Sequence, residues 1–248
     1  MIGPQTLAPQ HFLSDLHLAP ARPADAAAFA AWARGPARTA SAVYVLGDLF
    51  DSWLGDEQLA EPFTSGVVAS LAAVARAGVP VHVMHGNRDF LLGARFAEAS
   101  GAALLPDSVV VEAGGVPTLL MHGDTLCTDD VDYQRYRAWI REPSRQRKLL
   151  SMPWPVRRAF AAWLRRKSRR AAMGKSEAIM DVNAGAVAQA FRDAGVIRFV
   201  HGHTHRPASH VVEVDGRRRE RHVLPDWHGR AAWLEIDEAG VRRRELEP

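Results

Sequence analysis

The chain has 248 residues, 47% hydrophobic and 24% charged, with one cysteine and a formal net charge of +3. That composition excludes a disordered or collagen-like polymer, the length suits one large domain or one domain with an insertion, and the lone Cys127 excludes a disulfide framework or a cysteine-based zinc site. No basic-then-apolar leader and no run near the ~18 apolar residues of a spanning helix is visible, so the expectation is a cytoplasmic protein, in solution or on a membrane surface.

In chain order, 10–14 reads as a short buried strand that stops at Asp15, and 23–34 as an Ala-rich helix opened by proline. A second apolar strand, 43–46, runs into Gly47-Asp48. A helix is expected over 64–77 with Gly78 as its stop, and a third strand over 79–84, followed by His85-Gly86-Asn87. Strand 118–121 ends at His122-Gly123-Asp124. Helices are expected over 131–140 and 156–170, with a proline-containing break between them (Pro143, Pro153, Pro155). A further helix is expected over 176–194, capped by Ser176 and stopped by Gly195. Strand 196–200 leads to His201-Gly202-His203, and short strands follow at 209–214, 220–224, 231–236 and 241–246.

Each early apolar run therefore ends where an Asp, Asn or His begins. In open α/β sheets ligands bind beyond the carboxyl ends of the strands, so five such endings point to one shared site. The set is Asp15 and His17, Asp48, Asn87, His122, and His203 with His205. Carboxylate mixed with imidazole suits Mn²⁺, Fe, Co²⁺ or Zn²⁺ better than Ca²⁺. Seven donors exceed the need of one such ion, whereas two ions sharing a carboxylate use them all. A pair of ions about 3.5–4 Å apart can clamp the attacking and leaving oxygens of a phosphoryl displacement and lower the pKa of a water between them. Glycines 47, 86, 123 and 202 allow close backbone approach beside these residues.

The ordered set resembles the calcineurin-like metallophosphoesterase superfamily over about residues 10–206. The resemblance implies an α/β two-sheet αββα sandwich. It also implies one metal on Asp15, His17 and His205, another on Asn87, His122 and His203, and Asp48 bridging the two. Longer words, S-D-L-H-L (14–18), G-D-L-F-D-S-W-L-G-D (47–56), H-G-N-R-D-F-L-L-G (85–93), M-H-G-D-T-L-C-T-D-D (121–130), I-M-D-V-N (179–183) and H-G-H-T-H-R-P-A (201–208), resemble the UDP-2,3-diacylglucosamine pyrophosphatase family of lipid A biosynthesis across nearly the whole chain. That resemblance implies two Mn²⁺ ions and water attack at the UMP-side phosphorus, yielding UMP and 2,3-diacylglucosamine 1-phosphate. It implies substrate contacts at Asn87, Arg88, Asp130, Ser168, Lys175 and His203, with catalysis resting on Arg88, Asp48 and His203. Ala172 stands where relatives commonly carry an amide or hydroxyl, and L-P-D-W-H (224–228) matches the family only partly.

Arg88 occupies a position that many phosphoesterases of the superfamily fill with a proton-donating histidine. Arginine cannot protonate a leaving group, but it can hold phosphate oxygens bidentately. That suits a leaving group that is itself a phosphate. A plain ion pair with Asp89 is the other reading of this position.

Residues 131–175 carry 14 Arg/Lys and 2 acids, a local +12 that leaves −9 on the rest of the chain. Large apolar residues are interleaved with the cations, and Phe160, Trp163 and Leu164 share a helical face with Arg157, Arg158, Arg165 and Arg166 toward its flanks. The expectation is one domain, 1–248, with a helical cap insertion at about 131–175. This cap would receive acyl chains and touch the anionic cytoplasmic face of the inner membrane; packing of the stripe onto the body is compatible with that role. No obligate protein partner is inferred. A nucleic-acid or nucleotide-diphosphate phosphodiesterase is the alternative, set apart by the steep salt dependence of phosphate-backbone binding. A non-catalytic scaffold would be expected to have lost ligands, and none is missing. His11, His82, His85, His201, His210, His222 and His228 are assigned to packing or solvent, Cys127 to a buried filler, and Asp89 and Asp124 to orienting a histidine or Arg88.

Overall fold

The computed structural model describes residues 8–172 and 181–246. Its elements are β1 (Gln10–Leu13), α1 (Pro23–Arg34), β2 (Ala42–Leu46), α2 (Pro62–Arg76), β3 (Val81–Met84), α3 (Ala94–Ser100), β4 (Ala103–Leu105), β5 (Ser108–Ala113) and β6 (Val116–Met121). There follow α4 (Val131–Ile140), α5 (Pro143–Leu150), α6 (Trp154–Ala172), α7 (Ala184–Ala194), β7 (Arg198–His201), β8 (Ser209–Val214), β9 (Arg217–Val223), β10 (Ala231–Asp237) and β11 (Gly240–Leu246).

Two sheets form, of order β11-β10-β1-β2-β3-β4 and β5-β6-β7-β9-β8. The first is parallel from β1 to β4 and the second from β6 through β7 to β9. The central strands read as unbroken apolar runs because both faces are covered. Val43, Val45, Val81 and Val83 face α1 to α3 in one core layer; Phe12, Tyr44, Leu46 and Met84 face the second sheet with Leu120 and Val200 in another. A third layer joins α7, through Val187 and Phe191, to Leu119 and Phe199. The result is the expected αββα sandwich.

Several boundaries differ from expectation for physical reasons. The proline-rich break holds a helix, α5, because Pro143 sits in its first turn, where a missing N–H costs nothing, while Glu142 caps it by accepting from the N–H groups of Ser144 and Arg145. Among the described residues of the helix expected over 176–194, the helical part begins at Ala184, where the Asn183 side chain accepts from Gly185 and Ala186. Residues 181–183 are not helical, and Ser176 lies outside the described residues. α3, β4 and β5 were not expected.

Arg157, expected on a helix flank, is buried. Its guanidinium donates to the Leu54 carbonyl at 2.9 Å, to both oxygens of Glu57 at 3.0 Å, to the Met152 carbonyl at 3.0 Å and to the Leu150 carbonyl, tying α6 to the body. The expected apolar face is divided in the same way. Ile140 and Leu149 join the body's core and Phe160 packs against it, while Trp163 and Val156 stay more than half exposed.

Candidate metal centre

The parallel strands deliver all seven predicted side chains to one rim of the sandwich. Backbone bonds lace the loops beyond the strands: the His17 N–H donates to the Asp48 carbonyl at 2.9 Å, and the Gly202 N–H to the His122 carbonyl at 2.8 Å. Asp15, His17, Asp48, His203 and His205 all adopt positive φ, between 46° and 71°. Non-glycine residues rarely go there, and such strain concentrates at functional sites. Gly86 must be glycine, since a Cβ would lie 2.0 Å from Asp48 Oδ1; at Gly202 it would lie 2.1 Å from Ser14 Oγ.

One half of the cluster joins Asp15, His17 and His205. His205 Nε2 lies 3.2 Å from His17 Nε2 and 3.4 Å from Asp15 Oδ1. In the other half Asn87 Oδ1 is 3.0 Å from both His122 Nε2 and His203 Nδ1. Asp48 touches both halves, its Oδ2 being 3.7 Å from His17 Nδ1 and its Oδ1 3.9 Å from His122 Nε2. Donors bound at about 2.1 Å to a shared ion lie roughly 3–3.5 Å from each other, so this spacing fits metal ligation. Two groups of carboxylates and histidines, Asp15/His17/His205 and Asp15/Asp48/His122, have donor atoms that all lie within 4.8 Å of one another. Asp15 Oδ1 and His17 Nδ1 are buried without a hydrogen bond, which is costly unless a cation completes them.

The electrostatics differ among the donors: burial lowers the pKa of His17 and His203, while nearby carboxylates raise it at His122 and His205. Burial pushes the Asp48 carboxyl up to about 7, with Asp89 and Asp15 adding repulsion and His122 opposing. Burial holds His17 down to about 3 and His203 to about 4, leaving neutral imidazoles, the form that binds metal. At His205 burial is outweighed by the Asp15 and Asp226 carboxylates, and the ring is raised to about 10.

Around this cluster, Asp89 does not pair with Arg88. It accepts from the N–H groups of Gly86, Asp48 and Leu49 at 2.8–3.3 Å and so shapes the loop that carries Asp48. Arg88 instead reaches Asp51 at 3.1 Å, with Nε 3.9 Å from Asp48 Oδ2, and its side chain is 44% exposed. Asp124 orients no ligand directly: it accepts from the Tyr133 hydroxyl at 2.7 Å and Arg137 Nε at 2.6 Å, and the Tyr133 ring stacks on His203. The Asp130 carboxylate caps α4 by accepting from the Tyr133 N–H. The side chain of Ser168 and all of Lys175 lie outside the described residues.

His11, His201 and Cys127 are buried, in keeping with packing roles. His228 is 71% exposed, yet it bonds to Asp226, which in turn lies 3.2 Å from His205 Nδ1. Sequence reasoning missed Asp226. Its sole signal was the partly matching L-P-D-W-H stretch.

Residues 9–207 match the model of the calcineurin-like phosphoesterase family. The chain is 47% identical over 242 residues to the UDP-2,3-diacylglucosamine hydrolase of Bordetella parapertussis, covering 94% of this chain and 93% of that protein. It is 47% identical over 225 residues to the protein of the same name from Yersinia pestis, covering 91% and 93%. The solved structure of an archaeal phosphodiesterase covers 96% of this chain and 99% of its own, with a TM-score of 0.46 at 12% identity.

Proposed function

The chain belongs to the calcineurin-like phosphoesterase family, and from that premise we propose that it is a metal-dependent hydrolase of UDP-2,3-diacylglucosamine in lipid A biosynthesis, releasing UMP and 2,3-diacylglucosamine 1-phosphate. The observation that carries this reading is the meeting of seven metal-type donors from five strand ends, with Asp48 in contact with both halves. Asp15, His17 and His205 would hold one divalent cation, Asn87, His122 and His203 a second, and Asp48 would bridge them, with Mn²⁺ the expected metal. Such cations supply an activated water at neutral pH and neutralise phosphoryl charge.

The protein's own groups do the rest. His122 Nδ1 donates to the Leu46 carbonyl at 2.8 Å, which turns Nε2 toward Asn87 and Asp48. Arg88, half exposed at the rim, is placed to hold an entering diphosphate through its fork of N–H groups and to stabilise charge as the bond breaks. It needs to give no proton, because the departing sugar phosphate is stable as an anion. The helices from residue 131 form a cap beside this rim: Arg137 and Arg141 pair with Asp107, and Arg141 also donates to the Gly86 carbonyl at 2.8 Å. Asp130, Ser168 and Lys175 would contact substrate from this side. Among the described residues no helix is long and apolar enough to cross a membrane; contact with the inner membrane would be peripheral, through the exposed apolar residues and arginines of the cap.

The test is hydrolysis of UDP-2,3-diacylglucosamine by Mn²⁺-loaded protein in ¹⁸O-labelled water. Label in UMP is expected. Label in the lipid phosphate would overturn the site of attack, and absence of UMP would overturn the activity.

A further inference from the structure

We propose that Asp226 is a positioning residue for His205, fixing which nitrogen of that ring faces the metal centre. This rests on the reading of His205 as a metal ligand. Asp226 lies in the crossover between β9 and β10, which joins the two sheets, far in sequence from the D-x-H, G-D, G-N and H-G-D words. Its Oδ2 stands 3.2 Å from His205 Nδ1. The opposite nitrogen, Nε2, is the one that faces His17 Nε2 and Asp15 Oδ1. A carboxylate on Nδ1 holds the proton there and leaves the Nε2 lone pair directed inward, the arrangement that metal-binding histidines commonly require.

The crossover is built to keep the carboxylate in place. On one side the Leu224 N–H donates to the His201 carbonyl at 2.7 Å. On the other, Trp227 is completely buried against Phe29 and Trp32, and its indole N–H donates to the Ala232 carbonyl at 2.8 Å. Its backbone N–H points at the carbonyl of Asp15, itself a member of the cluster. Asp226 therefore sits between two fixed neighbours, only 14% of its side chain exposed. The two halves of the site are thus oriented differently: His122 by the backbone carbonyl of Leu46, His205 by a carboxylate that also raises the ring's basicity as a ligand. The competing explanation is that Asp226 serves only His228, which shares the same oxygen at 2.6 Å.

The experiment measures Mn²⁺ stoichiometry and affinity by titration calorimetry, with melting temperatures alongside, for the full chain and for Asp226→Ala, Asp226→Asn, His228→Ala and His205→Gln. Asp226→Ala is expected to weaken one of two ions about 10–100-fold. Asp226→Asn keeps an acceptor oxygen and should restore most of that affinity, and His228→Ala should bind as the parent does. Asp226→Ala binding both ions as the parent does, while His205→Gln loses one, would overturn the positioning role alone. Parent-like binding by His205→Gln would instead overturn the ligand assignment beneath it. Equal losses in Asp226→Asn and Asp226→Ala at unchanged melting temperature would refute the orienting hydrogen bond.

Discussion

Asp48 and Arg88 stand 3.9 Å apart but would do different work under the proposed function, so their removal should fail differently. Asp48→Ala takes away a carboxylate in contact with both halves of the cluster; activity should drop below detection and at least one ion should be lost. Arg88→Ala leaves all seven donors in place; metal content should hold while kcat falls about 10²–10³-fold, the usual scale for one lost charge-stabilising donor. Metal analysis beside steady-state kinetics checks this, and equal metal loss in both variants contradicts it. The seven candidate donors were legible because each follows an apolar run. What the residue types hid was backbone: nothing in an Asp or His announces the positive φ found at Asp15, His17, Asp48, His203 and His205. Asp226 was hidden because its partner is near only in space. His11 gives a second prediction. It is buried between Trp32 and Trp233, and burial, partly offset by Glu235 at 3.5 Å, lowers its pKa from 6.5 to about 4. Below pH 6.5 the unfolded chain takes up a proton that the folded chain refuses until about pH 4. Stability should therefore decline as pH falls through that window, by about 3 kcal/mol from this residue. In His11→Leu the difference in urea-unfolding free energy between pH 7.5 and pH 4 should shrink by about that amount; an unchanged difference would sink the assignment.

Helices α4 to α6 are joined to the body by a few polar ties as well as by apolar contacts. Arg157 converges on Leu54, Glu57, Leu150 and Met152, three of them through carbonyl oxygens. Arg157→Ala should cost about 2 kcal/mol, since buried acceptors lose their donor, and Arg157→Lys should recover little, because one ammonium cannot reproduce the planar fork. Limited trypsin digestion, followed by mass mapping, should show cuts within 141–172 appearing in both variants before the body is cleaved. Digestion indistinguishable from the parent would mean that the apolar contacts of Ile140, Leu149 and Phe160 hold the segment alone. The same helices mark where elements were legible. α1 and α4 carry clean starts, and both were expected over their observed spans. α5 was obscured because proline was read as a breaker when it stands in a first turn, and β5 because its alternate residues face solvent on a sheet edge and leave no buried run.

At the scale of the whole molecule the charge is divided: +12 on residues 131–175 and −9 elsewhere. The positive part also holds the exposed apolar side chains Tyr136, Trp139, Leu150, Val156 and Trp163. Such a surface suits a headgroup layer, where aromatic and aliphatic groups enter the acyl boundary and arginines meet anionic lipid. Its position would give such a contact a purpose. Tyr133 stacks on His203 at one end of the helical segment, and Arg141 donates to the Gly86 carbonyl beside Asn87. A lipid whose acyl chains lie along the segment would have its diphosphate within reach of the metal centre. Two contributions should separate by experiment. Val156 and Trp163, seven residues apart on one face of α6, are both more than half exposed and can be changed to serine without opening the core, whereas Phe160 packs against the body. On vesicles of mixed phosphatidylglycerol and phosphatidylcholine, the Val156→Ser/Trp163→Ser variant should bind about tenfold more weakly by co-sedimentation. Raising NaCl from 0.1 to 1 M, which shortens the screening length from about 10 to 3 Å, should weaken the parent further without abolishing binding, because the apolar part is not screened. Release driven by salt alone, with the serine variant indistinguishable from the parent, would leave a bare cationic surface and remove the case for a lipid-facing cap.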